Sequence, residues 1–179
     1  VAQDTGKVLG DAVAQAMDEV IVDLFASAST DVGGSTTELT IEQILKAAAT
    51  LRNNSVPMDE VVAVVNPLAA FNLKKTLLNS GTNPSANDLV NTAARNYFLG
   101  RVAGVDIYES ASIDVDGTPS CTNAVFHKGA IGMVMKRDLR IATQRDESIR
   151  GFEVVASAAF GAEILDQNKI VKIASDAGL

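Results

Sequence analysis

His127 and Cys121 are the only histidine and the only cysteine of this 179-residue chain. A histidine can act as a general base and a thiolate as a nucleophile, but each needs a partner within hydrogen-bond reach. Neither has one in the sequence. His127 stands between Phe126 and Lys128 at the start of an apolar run, with no serine, cysteine or carboxylate motif aimed at it. Cys121 lies between Ser120 and Thr122 in a polar stretch, without a base or a helix N-terminus to lower its pKa. The reading is a structural or surface histidine and an inert thiol in a loop. A lone cysteine also excludes an intramolecular disulfide and a thiolate zinc cluster.

Asp114-x-Asp116-Gly117 has the opening of a calcium loop, yet the acidic residue that closes such a loop is missing. Calcium takes about six to eight oxygen ligands, whereas Asp-Gly between apolar segments is an ordinary hairpin turn. The glycines of Gly129-Ala-Ile-Gly132 and Gly100-Arg-Val-Ala-Gly104 fit neither phosphate-loop spacing. They read as turns and close strand approach. Lys74-Lys75 lacks the interleaved aromatics of a nucleic-acid groove. No catalytic residue, cofactor or metal is expected.

The densest run of ionic side chains is Lys136, Arg137, Asp138, Arg140, Arg145, Asp146, Glu147 and Arg150. Both signs alternate along a strand, a loop over Gln144 to Arg150, and the next strand. Such a unit can be a solvated hairpin, since exposed ion pairs contribute little to stability. It can equally be a complementary edge that meets a neighbouring subunit and sets register.

The elements around these residues follow from periodicity. Leu9, Val13, Met17, Val20 and Leu24 recur at helical spacing and predict a long amphipathic helix. Ser27 to Thr37, with Gly33-Gly34, reads as a flexible loop. Thr40 and Gln43 stand in capping-box spacing ahead of a second helix through Ile44, Leu45, Ala48 and Leu51. Val61 to Val65 is a continuous apolar run, the mark of a strand buried on both faces. Asn66 and Pro67 then supply an N-cap and a first-turn proline for a third helix through Phe71, Leu73, Leu77 and Leu78.

Residues 79–96 are polar and turn-rich, with a short helix expected from Ser85. Strands dominate beyond: Val105 to Tyr108, Ala124 to Phe126, Ala130 to Met135 and Arg140 to Thr143. Two longer strands follow, Gly151 to Phe160 and Ala162 to Ile173, around Gly161. Helices first and strands later predict an α+β chain, with one domain inserted into another.

Composition narrows the function classes. The chain is 47% hydrophobic and 21% charged but only 4% aromatic, with no tryptophan. Its net charge of −7 argues against nucleic-acid binding, which needs clustered Lys and Arg. No apolar run is long enough for a membrane span, and no secretory signal is read after Val1.

Several segments together resemble one family, the major capsid protein of tailed bacteriophages with its Hong Kong 97-type fold. They are Val61-Val-Ala-Val-Val-Asn-Pro-Leu, then Gly100-Arg-Val-Ala-Gly-Val-Asp-Ile-Tyr-Glu-Ser110, and the run from Phe126 through Arg137-Asp-Leu-Arg. Val154-Val-Ala-Ser-Ala-Ala-Phe-Gly-Ala-Glu-Ile and Ile170-Val-Lys-Ile-Ala-Ser-Asp-Ala complete the series. Their order and spacing carry the resemblance, over about residues 60–179.

The resemblance implies a fold with a long spine helix, a peripheral β-sheet domain and an inserted α/β axial domain. Residues 1–60 and 130–179 would form the peripheral domain, and 61–129 the axial one. It implies a structural protein that assembles into pentamers and hexamers of an icosahedral shell around double-stranded DNA. Expansion of the shell would follow from rigid-body rotation and hinge motion of the two domains. Scaffolding, portal and decoration proteins are the implied partners, and the virion, assembled in the host cytoplasm, the implied location. Arg145, Asp146, Glu147 and Arg150 would then meet neighbours near threefold axes, and Asn83 and Asn87 would lie in an axial contact. The family's N-terminal arm and extended β-loop have no counterpart here, so the expectation is the core of a longer chain. An encapsulin-type compartment of the same fold is the nearest alternative. A small-molecule-binding α+β domain built around Asn66 is the alternative from another class.

Overall fold

The structure, a computed structural model, describes residues 2–79, 98–102, 104–116, 120–148 and 150–178. Asn83, Asn87 and the helix expected from Ser85 lie outside the described residues. Helix α1 spans Ala2–Asp23 and ends in a 3-10 turn over Leu24–Ser27. Leu9, Val13, Met17 and Ile21 form its half-buried stripe. Val20, expected in that stripe, is instead exposed. Helix α2 covers Ile41–Asn53 behind Thr40, whose backbone N–H donates to Gln43 Oε1 at 3.0 Å, as capping-box spacing predicts.

Strand β1, Val61–Val65, runs into helix α3, Pro67–Asn79. Asn66 Oδ1 accepts from Leu68 N–H at 2.8 Å, so Asn66 caps α3 and Pro67 opens it. Three further strands are β2 over Phe98–Val102, β3 over Val105–Glu109 and β4 over Ser120–His127. With β7, Ile170–Asp176, these build a five-stranded sheet in the order β2-β3-β1-β4-β7. Only the β1–β3 pairing is parallel; the others are antiparallel. Gly104, at φ +87°, turns the chain between β2 and β3, the left-handed conformation that favours glycine. In β1, Val61, Ala63 and Val65 are fully buried while Val62 and Val64 are half-buried. One face is therefore sealed and the other only partly covered, less than the continuous apolar run suggested.

The core lies between this sheet and the helices. Phe25, Leu39, Ile44, Leu51, Leu73, Ile107, Ile170 and Ile173 are its largest wholly buried side chains. Phe25 packs its ring 5.4 Å from that of Phe126. Cys121 belongs to this core, since β4 starts earlier than the short strand expected at Ala124; it is buried and not in an open loop.

A second sheet consists of β5, Ile131–Asp146, and β6, Gly151–Ile164, joined as one long antiparallel hairpin. Three expectations are corrected here. The two separate runs Ala130–Met135 and Arg140–Thr143 are one strand. Register shifts between Met135 and Arg137, and between Arg137 and Arg140, absorb its polar middle as bulges. The loop expected from Gln144 is shorter, because pairing continues to Asp146 opposite Gly151. And the last strand does not run unbroken from Ala162 to Ile173. β6 ends at Ile164, a 3-10 turn occupies Gln167–Lys169, and β7 leaves in the other sheet.

The stretch expected to be a flexible loop is pinned. Val32 N–H donates to Lys172 O, Lys172 N–H to Thr30 O, and Asp176 N–H to Thr37 O, at 2.9–3.1 Å. These bonds lay residues 30–37 along the outer edge of β7 as a strap, which covers an otherwise open sheet edge. Among the described residues no helix is long and apolar enough to cross a membrane.

Candidate functional site

Strands β4 and β7 carry a buried polar cluster into the core. Asn123 Nδ2 donates to Ser175 Oγ at 2.8 Å and to Ile173 O at 3.3 Å. Its Oδ1 accepts the Asn66 backbone N–H at 2.8 Å. Asn66 Nδ2 donates to Ile113 O at 2.7 Å, and Cys121 Sγ sits 3.4 Å from Ser175 Oγ. Each contact joins two separate elements, so the cluster ties the start of α3 to the β4–β7 pair. Asn66 is buried, and both its side-chain polar atoms are engaged inside the protein. Sequence reasoning missed Asn123, whose signal was one amide at an inward position between Cys121 and Val125.

His127 and Asp166 stand where the two sheets join. His127 Nδ1 accepts the Gly129 N–H at 3.0 Å and caps the 3-10 turn Lys128–Ala130 that leads into β5. Its role is the structural one expected. Asp166 caps the return turn, accepting the Asn168 N–H at 3.0 Å and pairing with Lys169 at 3.1 Å. The Asn168 N–H foremost, then the Lys169 ammonium, hold the Asp166 carboxyl below the usual carboxylate range. Ala130 O accepts from Leu165 and Asp166, clasping the two turns together.

The hairpin that these turns carry holds the ionic run singled out above. Between Ile131 and Ile164 stand five Lys or Arg and five Asp or Glu. Arg145 meets Glu147 at 3.3 Å, with 71% and 84% of the two side chains exposed, a pair of little energetic weight. Arg150 is exposed in the turn at φ +51°. Thus the structure brings Arg145, Glu147 and Arg150 together at the tip of the hairpin, with the Asp146 backbone in the last pair of its ladder.

Pairing partners share a face of the ribbon, so register assigns the apolar side chains. Met133, Met135 and Ile141 of β5 lie opposite Ala162, Phe160 and Ala156 of β6, and Arg145 lies opposite Phe152. Val154, Ala156, Ala158, Phe160, Ala162 and Ile164 of that face are half-buried, and α1 is the helix packed along β6. Met133, Met135, Ile141 and Phe152 of the same face remain exposed.

An open cleft of about 560 Å³ lies between the end of α1 and the turn before β4, lined by Asp23, Asp114, Asp116 and Thr122 among others. Asp116 N–H donates to Ser120 O at 2.9 Å and Val115 pairs with Cys121, while Gly117 of the expected Asp-Gly turn lies outside the described residues. No group of three or more metal-ligating side chains occurs among the described residues.

A family model described as "Phage capsid protein" matches residues 7–176. No curated protein sequence matches the chain. Among solved structures, a chain of Mycobacterium phage Che8 superposes with a TM-score of 0.74 at 20% identity, over 94% of this chain and 61% of that one. The capsid of the cyanophage P-SCSP1u gives 0.75 at 17% identity, over 98% and 66%. An encapsulin complex from Synechococcus elongatus gives 0.70 at 7% identity, over 98% and 65%. The chain thus spans less than two thirds of these relatives' length. The shared architecture is the Hong Kong 97-type capsid fold.

Proposed function

This chain belongs to the phage capsid protein family, and on that premise we propose that it is the structural subunit of an icosahedral shell enclosing double-stranded DNA. Copies group into pentamers and hexamers. The observation that carries this reading is the long β5–β6 hairpin, which projects an apolar and ionic surface outside the core. Closed shells need repeated, symmetric contacts between identical chains, and an extended ribbon supplies reach and register for them. The family is structural and not enzymatic, in keeping with a histidine, a thiol and an Asn66 all occupied within the fold.

In this reading residues 1–60 and 130–179, which include α1 and the β5–β6 hairpin, form the peripheral part, and residues 61–129 form the axial part that meets its copies around fivefold and sixfold axes. Arg145, Asp146, Glu147 and Arg150 sit near threefold axes, and Asn83 and Asn87 lie in the axial contacts. Scaffolding, portal and decoration proteins are the partners, and expansion proceeds by rotation of the two parts against each other.

Electron microscopy of the full-length protein, expressed with its scaffold, tests the proposal. Uniform closed shells are the expected outcome, and soluble small particles alone refute it. The likeness to an encapsulin favours a second reading, a compartment around a protein cargo. The contents of the shells decide between the two: nuclease-protected double-stranded DNA for the first, a packaged enzyme for the second.

A further inference from the structure

One cap geometry recurs through this fold, and one copy of it differs in chemistry. Asp31, Asn66, Asp166 and Asp176 each hold the backbone N–H two residues on with a side-chain oxygen, at 2.7–3.0 Å. Such turns are ordinary for Asp and Asn. His127 makes the same two-residue bond with a ring nitrogen, Nδ1 accepting the Gly129 N–H at 3.0 Å. It is the chain's only histidine, and it stands at the joint between the body and the β5–β6 ribbon.

A backbone N–H can only donate, so this bond fixes the imidazole as the neutral form with its proton on Nε2. The imidazolium carries N–H on both nitrogens and has no acceptor left. Protonation therefore sets two donors against each other, and the cap cannot survive it. A carboxamide does not titrate, and a carboxylate ordinarily keeps its acceptor oxygens down to about pH 4. Asp166 caps the other turn of the joint. The Asn168 N–H foremost, then the Lys169 ammonium, hold its carboxyl below the usual carboxylate range, so its cap outlasts that of any imidazole as pH falls. The joint thus has one acid-labile side and one acid-stable side. The elements beside His127 bring charged residues to this corner. Val61 of β1 pairs with His127 behind Asp59 and Glu60, and Glu60 O accepts the Lys128 N–H at 3.1 Å. Phe126 pairs with Ile170 of β7, next to Lys169, which is itself paired with Asp166. These groups tune the pH at which the ring takes its proton, but none of them restores an acceptor to Nδ1 once it has.

We propose that protonation of His127 uncaps the turn Lys128–Ala130 and loosens the body's hold on the β5–β6 ribbon. Ala130 carries the effect outward. Its carbonyl accepts the Leu165 N–H at 2.8 Å and the Asp166 N–H at 3.4 Å, so a turn that swings away from β4 opens the clasp to the return turn. The return turn keeps its own fastenings. Gln167 Oε1 accepts the Ser29 N–H at 3.0 Å, and Asn54 Nδ2 donates to Asn168 O at 3.1 Å. It is then the pivot on which the ribbon shifts. This switch is a property of the subunit and does not depend on the shell reading.

Amide hydrogen exchange of the unassembled full-length subunit tests it, with rates expressed as protection factors so that the intrinsic pH dependence cancels. From about pH 7.5 to about pH 5, the range in which imidazoles titrate, protection at Gly129 and Leu165 should fall about three- to tenfold, the worth of one hydrogen bond. The Ser110 amide, bonded to Val65 O within the body, should keep its protection and so mark the change as local. His127→Asn supplies a cap oxygen that does not titrate, as Asn66 does, and should hold protection at both pH values. His127→Ala should show the lowered protection already at the higher pH. Heteronuclear NMR of the single imidazole should find its proton on Nε2 at the higher pH, and a proton on Nδ1 overturns the cap. Equal protection at the two pH values overturns the switch, as does a fall in His127→Asn as large as in the parent. An equal fall at Ser110 signals global unfolding and overturns it as well.

Discussion

Asn123 does more for this fold than its single amide suggests. Its oxygen accepts the Asn66 backbone N–H at the mouth of α3, and its nitrogen donates to Ser175 Oγ and Ile173 O of β7. In a low-dielectric core these bonds are strong, and leaving them unmade is costly. Asn123→Ala strands the buried Asn66 N–H without its acceptor and the Ser175 hydroxyl without its donor. The substitution should destabilise the subunit by about 1–3 kcal/mol, the range for a buried polar group left unsatisfied. Urea unfolding of the unassembled subunit measures it, and a change below the error of the fit refutes the assignment. Cys121→Ala removes only weak sulfur contacts beside the same cluster and is the appropriate control.

At the scale of elements, local rules were legible and distant pairings were not. The α1 stripe, the Thr40–Gln43 box and the Asn66-Pro67 start of α3 obey constraints set within a few residues, and the structure reproduces them with Val20 of the stripe as the exception. The strap over residues 30–37 depends on β7, which lies far along the chain, so Gly33-Gly34 read as a flexible loop when it is a close approach. The false strand from Ala162 to Ile173 arose because apolar residues continue to Leu165, masking the turn that Asp166 caps. Only the ionic run of the hairpin was visible as a candidate contact; the apolar face beside it needed register. Gly33 offers a direct test of the strap. A Cβ there would lie 2.0 Å from Ala174 O, with no positive φ involved, so the constraint is steric. Gly33→Ala must lift the strap off β7. Overpacking of this kind costs about 1–3 kcal/mol, and hydrogen exchange should show faster exchange at the Lys172 and Asp176 amides. Unchanged protection at both amides would show that the strap is not what shields this edge.

The whole molecule divides its labour between a body that holds the fold and a ribbon that reaches beyond it. Wholly buried apolar residues come from α2, α3, the five-stranded sheet and the turns around them, and among the described residues none lies between Ile131 and Ile164. The ribbon is attached through two clasped 3-10 turns, with His127 and Asp166 as their caps. A protein selected for stability alone gains little from a 16-residue strand with exposed Met133, Val134 and Leu139 along it. Contacts made after folding explain the design better, because exposed apolar side chains are stabilising only when a partner covers them. Excising residues 134–161 and closing the gap with a short glycine–serine turn should therefore separate the two roles. The shortened protein keeps the buried core intact, loses the support that β6 gives α1, and should still unfold in one cooperative transition. It should form no shells. A ribbonless protein that assembles normally, or one that no longer folds, contradicts this division, and differential scanning calorimetry beside electron microscopy distinguishes the two failures.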